Sequence, residues 1–580
     1  MLRKMKYILF FLVILFTSCK KDFLDINTDP NNPTAIEVSK LLPTVQRAVA
    51  DVLVTDGTGN NGGLSQILAV YMHQMTTREE ADQYGATSSE FYTDLAWEKL
   101  YASSLSTQTT PQYGVMQNLN EIIRAGTEAG NLRYVGIAKV LKAYVFSQFV
   151  DVFGDIPFSE ANRLIEGIRG PKFDDDAEIY PQLFALLDEG IADLNNTTAA
   201  NIMLPGNDDL IYGGDKTKWI KAANTIKLKL YTQLRKVQNV SAEVTQLLAS
   251  GNLISSTEES FLFPYGKNEA TDDRNPGFGD YTSTQRSNHV SPWLYEIMKG
   301  YNKRIFTGIQ DPRIPYYIYN QIGKEQAPRE ALPDQTEYRD SAFVSIVFGS
   351  VGPDRDRTQQ NTISVFGIYP VGGKYDDESA TVANASSGTG AAPYRFITYA
   401  DRLYLEAELI NTGVISGDAK AKLEQAISES FRQIDHVITT YVKPTQTVPA
   451  IFNTPAMNDY IAAVMAQYDA GNAERKLEII MTQKWLSSVG SHVDQYTDYR
   501  RTGYPILFNP NDPTMAPGGR FQPPLNGNPF TPGAQKSVPV QLSKSFPFTL
   551  FWNSDELAAN PNAPNQKTPS DPSAKPFWIP

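Results

Sequence analysis

The chain of 580 residues holds one cysteine, Cys19, and four histidines, His73, His289, His436 and His492. A single thiol forms no internal disulfide, so stability has to come from packing. The histidines stand singly and none falls into a His-Glu-x-x-His or similar spacing, so no zinc motif is written in the sequence and no metal is expected. No Gly-x-Ser-x-Gly elbow occurs. Basic excess is missing too: the formal net charge is −12, the opposite of the basic stripe that nucleic acid requires. No apolar run of about 18 residues follows residue 19, so nothing after it has the length to span a bilayer. Paired carboxylates stay open as chemistry, because 64 acidic residues offer many pairs that only folding can bring together.

The lone cysteine stands in an informative place. Arg3, Lys4 and Lys6 precede an unbroken apolar stretch over 7–16, which ends in Thr17-Ser18-Cys19. At ~1.5 Å per residue the stretch covers about half of the ~30 Å hydrocarbon core, which fits a signal h-region and not a permanent span. A small residue followed by cysteine at the cleavage point predicts a lipoprotein signal peptide over 1–18. The mature chain then begins at Cys19, acylated and anchored by more than one acyl chain, since one chain alone binds a membrane only marginally. Residues 19–34, broken by Pro30 and Pro33, predict an extended tether with a reach of up to about 45 Å at ~3.1 Å per residue. Asp25, Asn27, Asp29 and Asn31 have the alternation of a calcium loop but lack its glycine and closing glutamate.

From residue 35 the patterning is helical. Spacing of apolar residues predicts helices over 35–50, with a break or kink at Pro43, and over 64–75, 91–104, 113–129, 132–149, 179–195, 216–237 and 240–250. Further helices are predicted over 397–410, 417–441, 455–470 and 473–488. Paired helices of this length on short turns are the pattern of tetratricopeptide-like stacks. Gly57-Thr58-Gly59-Asn60-Asn61-Gly62 formally matches a dinucleotide fingerprint, but it joins two helical segments and no βαβ unit surrounds it, so no cofactor is expected. Residues 255–393, rich in Gly, Pro, Asn, Asp and Tyr, predict a long irregular insertion broken only by a helix over 292–301. The segment 505–580 predicts an extended tail over the helical body. The expected domain is single, over 35–580. Asp174-Asp175-Asp176 is read as a solvated turn before a helix, and Trp97 as core.

Binding is better supplied than catalysis. Aromatic faces stack on sugar rings, while Asn, Asp and Arg direct hydrogen bonds to hydroxyls. The candidate contacts are Arg78, Asp82 and Tyr84 from the early loop, with Tyr281, Arg286, Asn288, Trp293 and Tyr301 from the insertion.

Several stretches together resemble the SusD/RagB-like outer-membrane nutrient-binding lipoproteins. They are residues 19–27 with Asp29-Pro30-Asn31, then Asp151-Val152-Phe153-Gly154-Asp155-Ile156-Pro157-Phe158 and Asp311-Pro312-Arg313. Arg402-Leu403-Tyr404-Leu405-Glu406-Ala407-Glu408 and Tyr499-Arg500-Arg501-Thr502-Gly503-Tyr504-Pro505 follow, in order along the mature chain. Near the end, 546–556 is similar to the closing segment of that family without its arginines. The resemblance implies a mostly α-helical, tetratricopeptide-like body in which these stretches are scaffold. It also implies a lipid-anchored outer-membrane protein, exposed at the cell surface, that is not an enzyme. Such a protein captures a glycan and passes it to a SusC-like TonB-dependent transporter. A peptide-binding protein of the same architecture, and a surface glycoside hydrolase, are the alternatives.

Overall fold

The computed structural model describes residues 37–55, 63–78, 84, 90–102, 114–283, 286, 288–330, 335–357, 360–509, 512, 515, 538–542 and 545–580. Cys19, the tether, the loop 57–62 and Asp82 lie outside them.

The early helices are α1 (Val38–Leu53), α2 (Leu64–Tyr71), α3 (Glu90–Tyr101), α4 (Val115–Glu128) and α5 (Leu132–Phe153). They are followed by α6 (Asp176–Asn195), α7 (Lys216–Leu234) and α8 (Ser241–Ala249). After the insertion, which contains α9 (Pro292–Lys299), come α10 (Tyr399–Asn411), α11 (Ala419–Val437), α12 (Pro455–Ala470), α13 (Ala473–Ser487) and α14 (Val493–Thr502). The tail adds α15 (Ser554–Ala559). Neighbours in sequence pack as pairs, α4 on α5, α5 on α6, α7 on α8, α10 on α11 and α12 on α13, the architecture expected of a tetratricopeptide-like stack.

Side-chain caps fix many helix starts: Asp175, Asp215, Thr398, Asp418, Thr454 and Asn472 each accept a backbone N–H of the first turn. Helix α5 buries nearly its whole circumference, as its continuous apolar pattern predicts. It can approach α6 closely because glycine faces glycine. A Cβ on Gly136 would lie 2.8 Å from the Gly190 carbonyl, and one on Gly190 would lie 3.1 Å from that of Gly136.

Two expectations from the sequence are corrected. Pro43 does not break α1, which runs through it. A proline inside a helix costs ~3 kcal/mol, and here Leu42, Val45 and Val49 stay fully buried along one face and outweigh the lost bond. Asp174-Asp175-Asp176 is not a solvated turn. Asp174 is buried and accepts the backbone N–H groups of Phe158 and Ser159 at 3.0 and 2.8 Å, while Asp175 caps α6.

The insertion is packed and not solvent-borne. Its short strands pair antiparallel with one another or with strands outside it: β1 (Met75–Thr77) with β5 (Asn288–Val290), β4 (Phe261–Phe263) with β10 (Tyr394–Ile397), β6 (Ile318–Tyr319) with β9 (Val365–Phe366), and β7 (Tyr338–Asp340) with β8 (Phe343–Ser345). A further pair, β2 (Ile156–Pro157) with β3 (Phe173–Asp174), precedes α6. The tail lies across the helices. Arg500 donates to the Phe548 carbonyl at 2.6 Å, Leu550 N–H to that of Val152 at 2.9 Å, and Trp552 Nε1 to that of Asp155 at 2.8 Å.

The segments that carry the family resemblance meet in the interior. Arg313 and Asp311 form a fully buried ion pair at 2.6 Å, with the guanidinium over the rings of Phe431 and Tyr460. Glu408 accepts from Arg501 and, at 2.8 Å, from Arg235. Asp151 accepts from the Tyr180 hydroxyl and faces Lys229 at 3.5 Å. A buried charge is tolerated only when paired, so these residues serve the scaffold.

Candidate binding cavity

A cavity of about 350 Å³ opens between α9, the turn after it, α13 and the start of the tail. That volume lies at the lower end of the ~300–1,000 Å³ usual for small-ligand sites. Ser291 caps α9, accepting Trp293 N–H at 3.2 Å, and so sets the indole at the first turn. Trp293 and Ile297, four residues apart on one helix face, form one wall, and Ile305, Pro505 and Ile506 extend the apolar lining. The indole Nε1 donates to the Ile506 carbonyl at 3.2 Å, which fixes the ring plane.

The polar lining comes from Glu296, Asn302, Lys303, Arg304, Glu478 and Thr482. Helix α9 stops at Gly300, whose φ of 73° needs the left-handed region, and the chain turns so that Asn302 accepts the N–H groups of Arg304 and Ile305 at 2.9 and 3.1 Å. Arg304 then grips Glu478 with two bonds of 2.7 and 3.0 Å, and Arg475 adds a third at 2.7 Å. Both oxygens of Glu478 are therefore occupied. Glu296 is held differently. Burial pushes its carboxyl well above the usual range, nearby Asp340 adds to this, and the Tyr338 hydroxyl donates to it at 2.8 Å. The cavity thus presents a buried acid pushed toward its neutral form and a carboxylate already clasped by two guanidinium groups.

Of the described residues picked from the sequence, only Trp293 lines this cavity. Tyr301 follows α9, half-buried, meeting Tyr295 edge-on at 6.5 Å and sharing Asp340 with it. Tyr281 stacks on Phe278 at 4.9 Å and joins the Phe366 carbonyl and the Lys374 N–H, so it fastens the insertion. Tyr84 packs against Tyr71, Phe348 and Phe546, its hydroxyl 2.9 Å from His73 Nε2. Arg78, Arg286 and Asn288 gather instead at the β1–β5 ribbon. There Asn288 accepts from Gln66 at 2.7 Å and Arg286 donates to the carbonyls of Asp280 and Ala383.

The sequence reading missed Glu296, Asn302, Arg304 and Glu478. Glu296 was accessible in principle, lying three residues after Trp293 on a predicted helix. Glu478 comes from α13, and nothing local marks it. Among the described residues one acidic group could hold a cation, Asp155, Asp175 and Asp176. Its carboxylates already serve the chain: Asp155 accepts the Asp176 N–H and Asp176 accepts the Phe577 N–H, both at 3.0 Å.

Residues 30–521 match the SusD-like family model described as "Starch-binding associating with outer membrane". A comparison with curated proteins finds no match. Among solved structures, one described as a chitin-binding protein aligns with TM-score 0.62 at 18% identity, covering 94% of this chain and 100% of its own. A SusD/RagB family protein from Bacteroides thetaiotaomicron aligns with TM-score 0.62 at 20% identity, covering 91% and 95%. A SusD homologue from Bacteroides fragilis aligns with TM-score 0.59 at 17% identity, covering 94% and 99%. At such identities the structures speak for the fold, and the family model, spanning most of the residues, speaks for membership: this chain belongs to the SusD-like family.

Proposed function

We propose that this chain is a lipoprotein of the outer membrane, anchored at the cell surface through Cys19, that captures oligosaccharide and delivers it to a SusC-like TonB-dependent transporter. The observation that carries the reading is the cavity beside Trp293, found in a chain of the SusD-like family. Its indole and aliphatic wall suit the apolar face of a sugar ring, and Asn302, Lys303, Arg304 and Thr482 supply directed partners for hydroxyls. The family description and the chitin-binding relative favour a glycan over a peptide.

A glycoside hydrolase also needs two carboxyl groups in one cleft, and Glu296 and Glu478 line the same cavity. Three guanidinium bonds occupy Glu478, which leaves it no free oxygen for a nucleophile or base. The reading is therefore capture without turnover. The test is a screen of glycans and peptides on the full chain, with product analysis on every hit. Saturable binding of an oligosaccharide recovered intact supports capture, whereas hydrolysis of the ligand or a preference for peptides overturns it.

A further inference from the structure

The turn that follows α9 carries two adjacent cations, Lys303 and Arg304, and both line the Trp293 cavity. A buried framework sets their place. Asn302, 6% exposed, accepts the N–H groups of Arg304 and Ile305, and the Thr307 hydroxyl donates to the Asn302 carbonyl at 2.6 Å. Gly308 N–H closes on the Gly300 carbonyl at 2.8 Å, and Phe306 N–H on Gln467 Oε1 at 3.1 Å. Arg475 of α13 spans the junction, donating to Glu478 and, at 2.6 Å, to the Arg304 carbonyl. The turn is therefore fastened to α12 and α13, and the two cations stand on a built wall.

Both have donors to spare. Arg304 spends Nε and Nη2 on Glu478, and its Nη1 has no partner among the described residues. Lys303 is exposed and has neither a hydrogen bond nor an ion pair among them. The acids on the lining do not answer them. Glu478 is shared between two guanidinium groups, and Glu296 takes the Tyr338 hydroxyl while burial pushes its carboxyl toward the neutral form. An isolated exposed lysine is ordinarily solvated and carries no message. This one, in a chain of net charge −12, shares a lining with an indole and a spare guanidinium N–H. A cavity of that volume is about 9 Å across, so a ring lying on Trp293 brings its substituents to the opposite wall.

We propose that Lys303 and Arg304 Nη1 form an anion subsite of the Trp293 cavity, so that the captured glycan carries an acidic substituent, a carboxylate or a sulfate ester, held there while its ring lies on the indole. Either substituent offers acceptor oxygens only, and charged N–H donors meet these with the stronger class of hydrogen bond. This inference rests on the capture reading and specifies the ligand class of the same site.

The experiment titrates the full chain, in detergent, with a panel of acidic oligosaccharides, each paired with its own uncharged form. Oligouronides are set against their methyl esters, and sulfated neutral oligosaccharides against their desulfated forms. The backbone is common to a pair, so the ratio of the two Kd values reads the charge alone. The expected result is a pair whose acidic member binds about tenfold or more tighter, with a ratio that shrinks as sodium chloride is raised. Lys303→Gln should bring the ratio to about threefold or less, and Lys303→Arg should keep it. A preference confined to the uronate pairs, or to the sulfated pairs, supports the subsite and names its substituent. Uncharged members that bind as tightly as acidic ones throughout the panel overturn it, as does a preference that Lys303→Gln leaves intact. Sodium sulfate that binds as tightly as the acidic oligosaccharide overturns it in favour of a free-anion site. Neutral oligosaccharide binding to the wild-type chain reports capture separately: binding without any acidic preference removes this inference alone, whereas a chain that binds no glycan removes both.

Discussion

The Asp176 carboxyl sits where the tail meets α6. Burial raises it to about 7 against the bond from Phe577 N–H, and Asp155 and Asp175 push the same way. In the unfolded chain an aspartate ionises near ~3.9. The folded chain therefore holds the proton between about 4 and about 7, and this group's contribution to stability is complete below about 4 and declines as pH rises toward 7. Asparagine keeps the acceptor for Phe577 and removes the titration. The melting temperature of Asp176→Asn minus that of the wild type should grow from pH 4 to pH 7 and level off above. A difference that is flat with pH would contradict the assignment. The same scale shows why most of the candidate contacts lie away from the cavity. Aromatic and arginine side chains serve packing as well as binding, and Tyr281 and Tyr84 are held by neighbours distant in sequence.

At the scale of elements, the crossing of α5 and α6 depends on two glycines in contact. Gly136→Val puts branched carbons against the Gly190 carbonyl and Leu194, and overpacking of this kind costs ~1–3 kcal/mol. The expected outcome is a lower urea midpoint with the cooperative transition kept. An unchanged midpoint would mean that the helices are free to part. Helix positions were legible because 3.6-residue periodicity is a local signal: 455–470 is reproduced end to end, and 473–488 differs by one residue at its end. Helix α14 was not anticipated, since Asp494, Gln495, Asp498, Arg500 and Arg501 make Val493–Thr502 too polar for an apolar stripe. The charges that hide it are the ones that bind Lys229, Lys484 and Glu408. The insertion's ribbons were illegible for a related reason, because two- and three-residue strands carry no period of their own.

For the whole molecule, no helix among the described residues is long and apolar enough to cross a membrane; the attachment proposed above is through lipid on Cys19. Cys19→Ala should move the chain from the membrane to the soluble fraction with its melting temperature unchanged. Continued membrane association would contradict lipidation. Family membership was legible because its segments are contiguous in sequence, and in the fold they supply the buried ion pairs Asp311–Arg313 and Glu408–Arg501. The cavity was not, because it joins residues around 293, 304, 478 and 506, brought together only by the packing of the insertion on α13.

The central claim is that the chain captures sugar at the Trp293 wall and releases it unchanged. Calorimetric titration of the best oligosaccharide into wild type and Trp293→Ala, followed by chromatography of the recovered ligand, tests it most directly. Removing a buried aromatic anchor costs ~2 kcal/mol, about thirtyfold in Kd, and the account predicts that loss together with an intact ligand in both samples. Equal affinities for the two proteins, or shortened oligosaccharide in the wild-type sample, would contradict it.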